Sequence, residues 1–177
     1  MRMLNKLASI IKATTLIVTI LLATNISVAE AGTETWQTVA SGCVLDADSV
    51  ANGRAVQYPQ DGSVQFAAGK TGTIYLTCPV STYACAGGGV SDLYVSAQGG
   101  VSGHAYVQGV FNALPVATSG TGFNVHSTLQ YTTLTKGSTG GNFTYTPTLG
   151  YFYWVAVVMY RDSTAYSPVA WGATFGC

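Results

Sequence analysis

The sequence has 177 residues, 48% of them hydrophobic and 8% charged, and its seven basic and seven acidic side chains cancel. That balance gives no basic footprint for nucleic acid and no polybasic patch for a membrane surface. The apolar content, with 21 glycines set among many Ser and Thr, excludes a disordered tail.

At the N-terminus Arg2, Lys6 and Lys12 precede an apolar core over residues 13–23, and Ala29-Glu30-Ala31 fits the small-x-small cleavage rule. This pattern predicts a secretory signal peptide over residues 1–31, cut after Ala31 or Ala29. The core is shorter than the roughly 20 residues a membrane span needs. The first cysteine is Cys43, so a lipid-modified N-terminus is not expected. The expectation is a secreted or periplasmic protein with no membrane attachment after cleavage. Residues 32–177 then make one domain, with four basic and six acidic groups and a net charge of about −2. Cys43, Cys78, Cys85 and Cys177 all lie in it. In an oxidising compartment an even count predicts two disulfides, with three connectivities open. No C-x2-C pair suggests zinc, and no metal or other cofactor is expected.

Trp36 to Val39 reads as a first strand and Leu45 to Gly53 as a loop. Arg54 to Tyr58 alternates and stops at Pro59, which belongs at an edge or turn. Ser63 to Phe66 and Thr73 to Cys78 read as a hairpin around Gly69-Lys70-Thr71, and Pro79 to Gly89 as a long loop. Val90 to Ala97 and His104 to Leu114 are strands. Phe123 to Thr135 is the longest alternating stretch, with Val125, Leu129 and Tyr131 on one face and Asn124, His126, Thr128 and Gln130 on the other. Lys136 to Asn142 reads as a flexible turn and Phe143 to Thr146 as a short strand.

Tyr151 to Tyr160 holds ten apolar or aromatic residues in a row, too short for a membrane span and too β-branched and aromatic for a helix. Both of its faces are apolar, so it is expected to be a central strand covered on both sides. Val169 to Phe175 is the last strand. Short strands at near-regular spacing, with no amphipathic helix, predict an all-β fold. The expected form is a single β-sandwich, jelly-roll-like, of two antiparallel sheets, with a closed barrel as the alternative.

No catalytic or cofactor motif stands out. Gly69-Lys70-Thr71 resembles the end of a P-loop, but Val64 replaces the required glycine and a strand follows. Asp46-Ala47-Asp48 lacks the later ligands of an EF-hand. His104 and His126, the two histidines of the chain, fall on polar faces where solvent exposure is the default. Hydrolysis through either needs a nucleophile and an orienting acid that no motif supplies. Eleven tyrosines and three tryptophans stand out more. Such side chains combine apolar area with a polar tip and suit sugar rings or a protein interface. Tyr151, Tyr153, Trp154 and Trp171 are the candidate ligand contacts, against the alternative that they fill the core.

The run Gly62-Ser63-Val64-Gln65-Phe66, then Thr71 to Pro79 (TGTIYLTCP), resembles a pattern in small exported bacterial β-sandwich proteins of unknown function. Those proteins also end in an aromatic strand followed by arginine, like Tyr151 to Arg161 here, and a short terminal strand. The resemblance implies a secreted β-sandwich and no particular activity. It also implies the pairing Cys43–Cys78, which leaves Cys85–Cys177. The leading expectation is a non-enzymatic binding module for a glycan or protein. The alternatives are a small hydrolase using His104 or His126 and a structural coat or appendage subunit.

Overall fold

The computed structural model describes residues 35–80, 89–116 and 122–176. Within them lie β1 (Thr35–Val39), β2 (Val44–Leu45), β3 (Ala55–Tyr58), β4 (Ser63–Phe66), β5 (Gly72–Pro79) and β6 (Val90–Gln98). They are followed by β7 (Ala105–Pro115), β8 (Phe123–Ser127), β9 (Gly137–Tyr145), β10 (Tyr151–Arg161) and β11 (Val169–Gly176). A five-stranded sheet has the order β2-β5-β10-β7-β8, and a second sheet the order β3-β4-β11-β6-β9. The sixth strand of that second sheet, β1, takes over the edge of β11 where β4 leaves it: β4 pairs Val169 and Ala170, and β1 pairs Gly172 to Gly176. All pairings are antiparallel, and the two sheets face each other as a sandwich, not a closed barrel.

β10 is paired along its length with β7 on one side and with β5 from Trp154 to Arg161 on the other. Side chains alternate across a pleated strand. Tyr153, Val155, Val157 and Met159 therefore point inward and are buried. Burying a side chain of this kind stabilises by about 1.5–3 kcal/mol. Phe111 of β7 joins the two layers, stacking on Tyr153 at 5.6 Å and meeting Phe175 at 4.7 Å and Phe143 at 6.0 Å. The even-numbered residues face outward and only Val158 among them is buried, which corrects the expectation of full cover on both sides. Phe152 is 61% exposed, and Trp154, Ala156 and Tyr160 are half-buried.

Four other expectations change. Ser63–Phe66 and Gly72–Pro79 do not pair as a hairpin; they belong to different sheets, and the turn between them crosses from one layer to the other. The expected loop from Leu45 to Gly53 contains a short helix, α1 (Ala47–Ala51), whose first amides are capped by the Asp46 carboxylate. The stretch from Phe123 to Thr135 is a strand only as far as Ser127. Beyond it Thr128 turns inward and is buried, its hydroxyl accepting the Gly109 amide at 3.0 Å, and Leu129 is exposed instead. The expected turn Lys136 to Asn142 lies almost wholly in β9. Gly140 sits under Tyr94, where a Cβ would run into the Leu93 carbonyl and the tyrosine, so glycine there marks close strand approach and not a loop.

Cys43 and Cys78 form a disulfide, as the resemblance implied. Cys85 and Cys177, and the predicted leader over residues 1–31, lie outside the described residues. Arg161, at the end of β10, is 4% exposed, with no carboxylate partner among the described residues. It donates to the carbonyls of Lys70 (2.7 Å), Ala67 (3.0 Å) and Tyr166 (2.7 Å), and its guanidinium lies 4.6 Å over the Phe66 ring. One cation thus ties the crossover after β4 to the loop after β10. Burial lowers its pKa from the ordinary value, but a guanidinium keeps its proton at neutral pH.

Replacing both Cys43 and Cys78 with alanine should lower stability by about 4 kcal/mol, the loop-entropy value for their separation of 35 residues, in urea unfolding. A loss below about 1 kcal/mol would show that the bridge does not restrain the unfolded chain. Arg161→Met should cost about 3 kcal/mol, because three carbonyls lose their donor. Arg161→Lys should recover only part of that, since an ammonium cannot span the same three acceptors. Full recovery by lysine would contradict the clamp.

Candidate functional site

The four aromatic candidates do not converge. Tyr153 is buried, and its hydroxyl exchanges hydrogen bonds with Thr148 at 2.9 and 3.3 Å. Tyr145 lies beside it, 3.4 Å between hydroxyls, and burial, then Tyr153, pushes the Tyr145 phenol up to about 12. Tyr151 is half-buried against Phe123 and Tyr153. Both tyrosines thus belong to the core and its margin. Trp154 lies on the outer face of the five-stranded sheet. Trp171 lies on the outer face of the other sheet, on the far side of the sandwich.

Trp171 reaches that face through a bulge. The register between β11 and β6 shifts from Ala170↔Ala97 to Gly172↔Ser96, leaving Trp171 as the extra residue. An inserted residue of this kind re-aims a side chain and kinks the strand. Ala170 and Ala173 both keep buried positions, so Trp171 and Gly172 share the outward side. The bulge falls where β4 gives way to β1 along the edge of β11.

Across β1, β11 and β6 one row of outward positions reads Val39, Gly172, Ser96, and the next reads Gln37, Thr174, Tyr94. Gly172 makes a low point in the first row, and a Cβ there would collide with the Thr38 carbonyl. The result is a shallow cleft of about 240 Å³, walled by Trp171 and Val39 and lined by the side chains of Gln37, Ser96 and Thr174. Gln37 and Ser96 are exposed and Thr174 is half-buried. Lys136, in the residue before β9, places its ammonium 4.1 Å from the centroid of the Trp171 ring. The cleft therefore offers an aromatic wall and uncharged hydroxyl and amide groups, with a cation held over the indole of that wall. Of these residues the sequence singled out only Trp171.

The outer face of the five-stranded sheet carries tyrosines. Tyr106 and Tyr160, directly paired across β7 and β10, stack at 5.4 Å, and Tyr75 is exposed on the neighbouring strand. Burial, with Tyr75 and Tyr160 nearby, raises the Tyr106 phenol. Their spacing as cross-strand neighbours was hidden in the sequence, since the three lie in separate segments.

Of the two histidines, His104 meets an acid. Its Nδ1 lies 2.8 Å from Asp162, and its ring stacks on Tyr166 at 5.3 Å. Among the described residues no serine or threonine hydroxyl hydrogen-bonds to its ring. His126 is not the solvent-facing residue expected; it stacks on Phe143 at 4.2 Å, nearly parallel. Asp46 caps α1 and Asp48 pairs with Arg54, so the Asp-rich segment is committed to local structure. Among the described residues no three His, Cys, Asp or Glu side chains cluster as a metal site, and no helix is long and apolar enough to cross a membrane.

No protein-family model matches the sequence, and no curated protein matches it. Several solved structures show similarity, among them the following three. The first is a family two carbohydrate esterase from Cellvibrio japonicus, at 12% identity and TM-score 0.41, over 81% of this chain and 34% of that one. The second is the CBM36-1 domain of a multidomain xylanase from the hindgut metagenome of Trinervitermes trinervoides, at 9% identity and TM-score 0.44, over 81% and 98%. The third is Eiger TNF from S. frugiperda, at 10% identity and TM-score 0.28, over 62% and 90%. This chain thus spans about a third of the esterase's length.

Burial holds the His126 imidazole below its ordinary pKa. As pH falls the unfolded chain binds the proton first, so stability from neutral His126 is present above about pH 6.5 and lost below it, through the lower folded value. The urea midpoint of the native protein should therefore drop more steeply below about pH 6.5 than that of His126→Phe, which keeps a ring against Phe143. Identical profiles would place His126 in solvent.

Proposed function

We propose that this chain is an exported, jelly-roll-like carbohydrate-binding module that holds a sugar against Trp171 in the cleft across β1, β11 and β6. The observation that carries this reading is the meeting of an aromatic wall with Gln37, Ser96 and Thr174 over the glycine floor. A sugar ring has apolar C–H faces and a rim of hydroxyls, and these two kinds of surface meet them in turn: aromatic area for the faces, amide and hydroxyl groups for the rim. At about 240 Å³ the cleft is smaller than the roughly 300–1,000 Å³ of sites that enclose drug-sized ligands. It suits one or two residues of a chain passing over the surface. Export is supported by the leader pattern in residues 1–31 and by the Cys43–Cys78 bridge, which needs an oxidising compartment to persist.

A glycan array followed by calorimetry tests the reading. Trp171→Ala should weaken the selected glycan at least about tenfold, the loss usual for truncating a central aromatic contact. Gly172→Ser is strained against the Thr38 carbonyl and is less informative than Ser96→Trp, which fills the cleft from an exposed position and should also abolish binding. Retention of full affinity in both Trp171→Ala and Ser96→Trp, with the fold intact by circular dichroism, would exclude this site.

A further inference from the structure

We infer that the cleft selects acidic sugars, those carrying a carboxylate, over their neutral counterparts through Lys136; this rests on the carbohydrate reading above. The basic side chains of the described residues divide by their duties. Arg54 is paired with Asp48, and Arg161 is buried on three backbone carbonyls. Lys70 sits in the crossover between β4 and β5, at the end of the sandwich held by Arg161. Lys136 differs from them all in that its ammonium lies over the indole that forms the wall of the cleft; like Lys70, it makes no ion pair among the described residues.

The charges around Lys136 leave room for an anion. The acid that feels its charge is Asp61, whose carboxylate accepts the Ser63 amide at 2.8 Å. Ser63 is the main reason its carboxyl sits below the ordinary value, and the charge on Lys136 adds to the effect more weakly. Asp61 is thus already engaged and does not neutralise the ammonium by direct contact. None of the residues lining the cleft is charged, so the ammonium over the Trp171 ring is the charge set against its wall. A neutral sugar gains little from an ammonium that water already solvates. A carboxylate presented at the Trp171 rim gains a charge-assisted hydrogen bond beside a low-polarity ring face.

The test uses calorimetry on oligogalacturonides, oligoglucuronides and oligomannuronides, each beside its carboxyl-reduced form. At low salt the acidic member of the bound pair should bind about tenfold more tightly, as a hydrogen bond to a charged group implies. Raising the ionic strength should shrink the preference. Lys136→Gln should bring the two forms to equal affinity, and Lys136→Arg should restore the preference. Equal or tighter binding of the neutral form, or a preference that survives Lys136→Gln, would overturn the inference while leaving a sugar-binding cleft in place. Binding by no glycan, acidic or neutral, on the array or in calorimetry would overturn both.

Discussion

The strict alternation of β10 between two paired neighbours sets the rest of this structure. With β7 hydrogen-bonded along the whole strand and β5 from Trp154 to Arg161, no residue of the strand can turn over without breaking a ladder, and over most of its length two. Tyr153, Val155, Val157 and Met159 are thereby committed to the interior, where Phe111 meets β9 and β11 across the layers. The second sheet takes its distance and orientation from that contact. Arg161 closes one end of the same strand, holding two loops through their carbonyls where a purely apolar residue would leave those groups unpaired.

The proposed site arises where this regularity is interrupted. Two strands share one edge of β11, and the bulge at their junction places Trp171 and Gly172 successively on the outer face. A tall aromatic beside a residue with no side chain is enough to make a cleft on an otherwise flat sheet. The chain that follows β8 then brings Lys136 over the indole. Fold and site are linked through the pairing of β1, since removing that strand would take Gln37 and Val39, one whole wall, with it.

Much of the fold was legible because period-two patterning is a local signal. The all-β class follows from it, while the strand at Tyr151 to Tyr160 follows from an unbroken β-branched and aromatic run, a signal just as local. Which sheet each strand joins is a long-range property, so the adjacent segments around Gly69-Lys70-Thr71 read as a hairpin although they separate into different layers. Glycine misled at Gly140, where its lack of a side chain serves close packing under Tyr94 and not a turn. The site was legible only at Trp171. A bulge has no composition of its own, and Gln37, Ser96 and Lys136 are ordinary polar residues until β1, β6 and the segment before β9 are set side by side. Tyr151 and Tyr153 were drawn in by residue type, but the parity of β10 assigns them to the core, and Trp154 to the opposite surface.

The three tryptophans occupy three distinct environments: Trp36 packs edge-on against Phe175, Trp154 lies on the tyrosine-bearing face, and Trp171 walls the cleft. Their indole N–H signals in a two-dimensional nitrogen–proton NMR spectrum therefore report separately on the interior and on each face during titration with a glycan that binds. If the cleft is the binding site, the Trp171 signal moves in proportion to occupancy while those of Trp36 and Trp154 hold still. Movement of the Trp154 signal with Trp171 unchanged would contradict the account and place recognition on the opposite sheet.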